Sequence, residues 1–234
     1  MPDRGLLDPE TVVGAPLGGK FPAPWTMNAA RWCQVTFEVE QGAALAALPS
    51  DLTRPIPCYA RIFVLDAEDG PAGPFKVATL MVGGRYRMLP RNVLVAGVVD
   101  GPLKAVEGAF GAPFGTGTVS LQREGGSITA SIMTGGETMA SLALPDARAI
   151  DPAMLRWDAW LGFAGPGDNI DLVEYGPRPE IREAFLSKGA RIETPSSLAK
   201  TNVWRRLRNL NTISACYAEG QFTLSAPQIQ QALT

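Results

Sequence analysis

The stretch that decides the fold is residues 107–117, with the sequence E-G-A-F-G-A-P-F-G-T-G. It contains Gly111, Gly115 and Gly117 around Pro113. The glycine spacing matches neither G-x-G-x-x-G nor the P-loop, and no Lys-Ser or Lys-Thr pair follows it. The stretch therefore gives no support for nucleotide binding.

The turn Phe110-Gly111-Ala112-Pro113 resembles the active-site segment of the acetoacetate decarboxylase family. In that family an aromatic-Gly-x-Pro turn is followed by a lysine that forms a Schiff base with a keto acid. Phe114 and Gly115 stand where the family carries two lysines. Since phenylalanine and glycine have no amine, the resemblance implies a retained pocket that has lost its nucleophile.

Other parts of the chain resemble the family in their order and spacing. They are an opening strand (31–37), a short helix (43–49), a strand (59–64), a glycine-aromatic turn (73–77) and a hairpin (118–121 and 128–132). Within one residue of register, the family's carboxylate-binding arginine falls at Arg31. The family's buried glutamate falls near Lys76, which carries the opposite charge.

Alternation of apolar and polar residues at period two dominates residues 31–144, and Gly125-Gly126 and Gly135-Gly136 mark turns. We expect an α+β, mainly β fold, in which a strongly curved antiparallel sheet closes into a barrel or cone around an internal cavity, with few flanking helices. Residues 1–30, rich in glycine and proline, are expected to form an extended arm, and residues 31–234 a single domain.

The second half of the chain predicts three helices. The first starts at Asp151-Pro152 and buries Met154, Leu155, Trp157 and Leu161, the second covers 179–186, and the third runs from Ser196 or Ser197 to Leu210. Residues 212–217 and 221–225 are expected to be closing strands.

Composition limits the possible chemistry. The chain of 234 residues has no histidine, which excludes Ser-His-Asp and Cys-His nucleophile pairs and histidine-based zinc sites. The formal charge of −2 gives no reason to expect a nucleic-acid partner, and no apolar run is long enough to predict a membrane span. Three widely spaced cysteines and the absence of a secretory signal pattern favour a cytoplasmic protein. We expect neither a cofactor nor a metal.

The candidate catalytic residues are Lys76, as an amine facing the cavity, and Glu107, as a general base. The candidate substrate-binding residues are Arg31, Arg61, Phe75, Phe110, Pro113, Phe114 and Gly115. Arginine is suited to this role because its guanidinium binds carboxylates through two donors. Each residue has a plainer alternative: a solvent-facing lysine, a structural carboxylate, a surface ion pair, or aromatic rings that only fill the core. Arg61 stands out because it lies between Tyr59 and Phe63 on one strand face.

Three functions remain open on these residues. The first is a cofactor-independent lyase-type enzyme acting on a small, fairly apolar or aromatic organic acid or ketone without an imine. The second is a decarboxylase or aldolase whose Schiff-base lysine has moved to Lys76, or to Lys104. The third is a ligand-binding protein without turnover. The resemblance also implies a homo-oligomer.

Overall fold

The computed structural model describes residues 3–7, 15–16, 24–110, 114–165, 171–226 and 228–232. Strands make up most of these residues, as the sequence predicts. The strands are β1 (Ala15–Pro16), β2 (Trp25–Glu38), β3 (Tyr59–Ala67), β4 (Phe75–Tyr86), β5 (Leu89–Asp100), β6 (Gly115–Thr116), β7 (Thr118–Glu124), β8 (Ser127–Thr134), β9 (Glu137–Leu144), β10 (Arg148–Ala149), β11 (Trp160–Gly165), β12 (Asp171–Tyr175), β13 (Pro177–Ser187), β14 (Arg191–Glu193), β15 (Asn211–Leu224) and β16 (Gln228–Ala232).

The helices of the described residues are short. They are α1 (Gln41–Ala47), α2 (Leu103–Phe110), a 3-10 helix (Pro152–Met154) and α3 (Val203–Arg206). None of them is long and apolar enough to cross a lipid bilayer.

Two sheets organise the described part of the chain. The large sheet has the order β10-β13-β15-β2-β3-β4-β5-β11-β12-β16, with β1 added to β11 and β6 added to β5. The small sheet has the order β14-β9-β8-β7. The run β2-β3-β4-β5 is an antiparallel meander, which confirms the period-two prediction for this region. Among the named strands of the described residues, β1 pairs in parallel with β11, β11 with β5 and β6 with β5.

The large sheet buries both of its faces. One face, here called the outer face, carries Val35 and Val64 and packs on apolar residues of the small sheet such as Ile128. The other, here called the inner face, carries Trp32 and Phe63 and packs on α2. Because successive side chains of a strand point to opposite faces, each strand of the meander contributes to both cores.

The inner face is concave. The rings of Trp160 on β11 and Phe222 on β15 have centroids 6.4 Å apart. Four strands, β2 to β5, lie between β15 and β11 in the sheet order. In a flat sheet these two strands would be about 24 Å apart, at roughly 4.8 Å per strand step. The sheet must therefore be curved enough for side chains of β11 and β15 to meet over the inner face.

Two of the three predicted helices are wrong. Residues 179–186 lie in β13, which pairs with β15 along most of its length. Their apolar residues fit a helix or a strand equally well, and this long-range pairing decides between them. The helix predicted from Asp151 is reduced to the 3-10 turn, in which the Asp151 carboxylate accepts from the Ala153 N–H at 2.9 Å. Leu161 belongs to β11 instead.

The predictions near the C-terminus are partly right. A helix does form between Ser196 and Leu210, but it covers only Val203–Arg206 and is capped by Asn202. The two expected closing strands are one strand, β15. At Gly220, whose φ is +156°, the pairing of β15 shifts in register. This irregularity occupies the gap that the sequence suggests between two strands.

Candidate functional site

The centre of the inner face is an aromatic cluster. Its members are Trp32, Phe63, Phe110, Phe114, Trp157, Trp160, Tyr175 and Phe222. Phe63 lies in the middle, with ring centroids 5.1 Å from Trp160, 5.5 Å from Phe222 and 6.4 Å from Trp157. These rings pack edge-on or tilted against one another in the buried core of the inner face.

Unpaired polar atoms are concentrated around this cluster. Of the eleven buried side-chain nitrogen and oxygen atoms without a partner in the described residues, nine lie on or against the inner face. They are Trp32 Nε1, Gln34 Oε1, Arg61 Nη1, Thr79 Oγ1, Asn92 Oδ1 and Nδ2, Trp157 Nε1, Trp160 Nε1 and Tyr175 Oη. Because buried polar groups are nearly always hydrogen-bonded in proteins, this concentration points to partners other than the described side chains, such as ordered water or a polar ligand.

Arg61 is the buried cation of the inner face. It precedes Phe63 by two residues on β3, and its side chain is only 9% exposed. Its Nε donates to Thr36 Oγ1 at 3.2 Å, and its Nη2 lies 3.7 Å from Asp158 Oδ2. Nη1 has no partner among the described residues. A guanidinium offers five N–H donors, so Arg61 can still bind a carboxylate.

A cleft of about 450 Å³ leads to Arg61 from the protein surface. Thr36, Tyr59 and Arg85 line it together with Arg61. Burial raises the pKa of Tyr59, while Arg61 and Arg85 act in the opposite direction. Burial also raises the pKa of Cys216 to about 11, again opposed by Arg61. Asp158 also raises the pKa of Tyr59, so charges of both signs act at this end of the inner face.

The aromatic residues predicted near the turn lie on the inner face. The rings of Phe110 and Phe114 are 5.8 Å apart, and the Phe110 ring stacks 6.1 Å from Trp160. Phe75 is buried in the same core. Gly115 begins β6 and is exposed. Pro113 lies outside the described residues.

Glu107 links α2 to the segment that follows it. Its Oε1 accepts from the Phe114 N–H at 3.1 Å, and its Oε2 lies 3.2 Å from Lys104 Nζ. Glu107 is buried, whereas the Lys104 side chain is 85% exposed. Both oxygens of this carboxylate thus have partners, which is the arrangement of a structural carboxylate.

Arg31 and Lys76 lie on the outer face, away from Arg61. Both contact Asp66, Arg31 Nη2 at 2.8 Å and Lys76 Nζ at 3.8 Å from its Oδ2. With Asp100 they form a row of alternating charge across β2, β3, β4 and β5. The row lines a second cleft of about 450 Å³. The structure therefore does not bring these two residues together with the aromatic cluster.

Their sequence neighbours point inward but carry no charge. Ala30, beside Arg31, and Val77, beside Lys76, both belong to the inner-face core. A shift of one residue in register, which moves a side chain to the other face of a sheet, would thus place apolar groups at both family positions.

Among the described residues, no lysine lies on the inner face. Lys76 is on the outer face, and Lys104, Lys188 and Lys200 are exposed. Lys20 lies outside the described residues. The described inner face therefore offers a guanidinium, indole N–H groups and hydroxyls, but no primary amine.

Several residues of this site are absent from the sequence-based candidates. They are Trp32, Asn92, Trp157, Asp158, Trp160 and Tyr175. Alternation on β2 and β5 could have placed Trp32 and Asn92 on the inner face. Trp157 and Asp158 carried no such signal, because they lie in the irregular segment that was predicted as a helix.

Comparison with known proteins agrees with this architecture. No protein-family model matches the chain, and no curated protein matches it by sequence. Among solved structures, an acetoacetate decarboxylase aligns with a TM-score of 0.77 at 14% identity, over 91% of this chain and 92% of the other. Acetoacetate decarboxylase from Legionella pneumophila aligns with a TM-score of 0.76 at 16% identity, over 98% of this chain and 96% of the other.

The chain has the fold of acetoacetate decarboxylase. A third structure with this fold is the enduracididine biosynthesis enzyme MppR complexed with pyruvate, with a TM-score of 0.74, 15% identity, and coverage of 92% of this chain and 93% of the other. At these identities the likeness is one of fold alone, and the function of this chain has to be argued from its own residues.

Proposed function

We propose that the protein binds a small organic acid with an apolar or aromatic body on the inner face and acts on it as a lyase, without a Schiff base and without a cofactor. One observation carries the proposal: Nη1 of the buried Arg61 guanidinium has no partner among the described residues, and Arg61 lies on the same strand face as Phe63 of the aromatic cluster. The inner face is thus suited to an anion whose other end is apolar.

The energetics favour a carboxylate at Arg61. A guanidinium presents parallel N–H groups that match the two oxygens of a carboxylate, and hydrogen bonds to charged groups contribute roughly 1.5–3 kcal/mol each. Since the Arg61 side chain is only 9% exposed, solvent screens this interaction little. The aromatic cluster then supplies contact area for the remainder of the ligand.

The polar atoms around the cluster support a lyase-type reaction. Cleavage of a carbon–carbon bond next to a carbonyl leaves an electron pair that is delocalised onto the carbonyl oxygen as an enolate, which then takes up one proton from water to give the ketone. The indole N–H groups of Trp32 and Trp160 have no hydrogen-bond partners among the described residues, and donors placed in a dry site stabilise such developing charge. Burial raises the pKa of Tyr175 well above its usual value, so its hydroxyl stays protonated and can donate as well.

The solved structures with this fold include decarboxylases and an enzyme complexed with pyruvate. They support a lyase, a decarboxylase or an aldolase-type enzyme as the class of activity. The homo-oligomer expected from the resemblance stays a prediction, as does the specific substrate. The retained pocket with a phenylalanine in place of the reactive lysine is part of this proposal.

We expect the protein to bind 3-phenylpropanoate and not 3-phenylpropanamide, which has the same body and no charge. Isothermal titration calorimetry with both compounds measures this directly. Incubation with 3-oxo-3-phenylpropanoate, with heat-denatured protein as the control for spontaneous decay, then tests turnover to acetophenone and CO₂. Equal binding of acid and amide would contradict the role of Arg61. Binding without accelerated turnover would favour the alternative of a non-catalytic ligand-binding protein.

A relocated Schiff base predicts a different result. If Lys76 formed an imine, borohydride reduction in the presence of 3-oxo-3-phenylpropanoate would add a fixed mass to this residue. We expect no such adduct on Lys76 or Lys104, because the first is paired with Asp66 on the outer face and the second is exposed. Peptide mass spectrometry locates any adduct. A stoichiometric gain on Lys76 would restore the imine mechanism.

A further inference from the structure

The segment 150–159, here called the strap, crosses from β10 to β11 at the inner face. Its backbone is anchored at both ends, by Ile150 N–H to Ala184 O at 2.9 Å and by Asn92 N–H to Ala159 O at 3.1 Å. Between these anchors, the backbone hydrogen bonds that residues 151–158 make within the described part of the chain are local to the strap. Few bonds would therefore have to break for its middle to move.

The strap is fastened to the inner face by Leu155, which packs against the inner-face core, and by Trp157 and Asp158. The Trp157 ring packs edge-on against Trp32, with centroids 6.2 Å apart, and against Phe63. Asp158 places its carboxylate against Arg61, with Oδ2 3.7 Å from Nη2. At this distance the two groups form an ion pair but not a hydrogen bond. The Asp158 side chain is 33% exposed, so it can turn toward solvent without a large desolvation change.

We propose that Asp158 is an internal carboxylate that holds Arg61 until the ligand's carboxylate displaces it, and that this displacement releases the strap. The inference rests on the proposed function, since it assigns a competitor to the same guanidinium. Two carboxylates on one guanidinium repel each other, so a bound acid disfavours the contact with Asp158. In the absence of ligand, Asp158 acts as the counter-ion of Arg61, so the buried guanidinium is not left without a negative partner.

This contact makes Asp158 a determinant of affinity. Any acid that binds Arg61 must first separate it from Asp158, and this cost weakens the observed affinity. Removal of the Asp158 charge removes the cost, so the affinity rises. A neutral amide at position 158 has nearly the size and shape of the carboxylate but no charge. It therefore removes the electrostatic competition without leaving a cavity in the strap.

The test compares four proteins by calorimetry with 3-phenylpropanoate as the probe: the wild type, Asp158→Asn, Asp151→Asn and Arg61→Met. Asp158→Asn is expected to bind about tenfold more tightly than the wild type, equivalent to about 1.4 kcal/mol. Asp151→Asn, in the same strap but engaged only in the cap of the 3-10 turn, is expected to bind as the wild type does.

The outcomes separate the two proposals. If Asp158→Asn binds equally or less tightly while Arg61→Met loses binding, Asp158 only orients Arg61: the displacement is wrong and the proposed function stands. If Arg61→Met binds as well as the wild type, the proposed function fails and the inference fails with it. Tighter binding by Asp158→Asn together with loss in Arg61→Met supports both.

Limited trypsinolysis reports on the strap itself. Arg156 is exposed in the middle of the strap, next to Trp157. We expect 3-phenylpropanoate to accelerate cleavage after Arg156 in the wild type, and Asp158→Asn to be cleaved faster than the wild type without ligand. Mass spectrometry follows this one bond. Unchanged or slower cleavage after Arg156 in saturating ligand would overturn the release of the strap.

Discussion

Replacing Arg61 with methionine is expected to weaken the binding of 3-phenylpropanoate by about 2–5 kcal/mol, the usual range when one member of a buried, hydrogen-bonded charge pair is truncated. This corresponds to a loss of roughly 30-fold or more in affinity. Methionine keeps much of the length of the side chain, so the contacts of its apolar part survive. Calorimetry of the variant and the wild type gives the two dissociation constants.

Arg31→Met is the matched control. It makes the same chemical change on the outer face, where Asp66 keeps Lys76 as a second cationic neighbour. Because Arg31 does not face the aromatic cluster, we expect its loss to leave the affinity within about twofold, as for distant and independent sites. Loss of binding in Arg31→Met with unchanged binding in Arg61→Met would move the site to the outer face.

Gly97→Ala is expected to destabilise the fold by about 1–3 kcal/mol, the typical cost of overpacking a core. Gly97 lies on β5 opposite Thr79, and a Cβ added there would overlap the ring of Phe114. The same Cβ would lie 3.1 Å from Ala78 O, so the backbone leaves it little room. The free energy of unfolding from urea titrations measures the effect.

The double variant Gly97→Ala/Phe114→Ala tests the cause. If the overlap with Phe114 is responsible, the double variant is less destabilised than the sum of the single variants, by a coupling energy of about 0.5–3 kcal/mol. Gly42→Ala is the control, because a Cβ at Gly42 in α1 meets nothing within 4 Å. Strict additivity would contradict the placement of the Phe114 ring against β5.

Residues 31–86 show why much of the fold could be predicted from the sequence. Val35 and Phe37 alternate with polar residues on β2, and the apolar run after Lys76 is a strand whose two faces are both buried. These signals for strands are local, because the alternation of apolar and polar residues is visible within a few consecutive positions. The short helix at 43–49 was implied by the resemblance and not by periodicity; the structure has a helix at Gln41–Ala47, shortly before Pro49.

The parts that failed depend on contacts between distant residues. β13 is a strand because β15 lies beside it, and the strap has its path because β10 and β11 lie on different parts of a curved sheet. Neither fact can be read from residues 150–186 alone.

The residues of the candidate site also differ in how well the sequence predicted their positions. Arg61 was singled out because it shares a strand face with Phe63, and the structure brings it to the aromatic cluster. Arg31 and Lys76 were placed by resemblance within one residue of register, and one residue is the difference between the two faces of a sheet.

A crystal structure of the protein with 3-phenylpropanoate tests the central claim most directly. The account predicts the carboxylate within hydrogen-bond distance of Arg61 Nη1, the phenyl ring against the aromatic cluster, and Asp158 turned away from Arg61. A ligand bound instead in the outer-face cleft between Arg31 and Lys76 would contradict it.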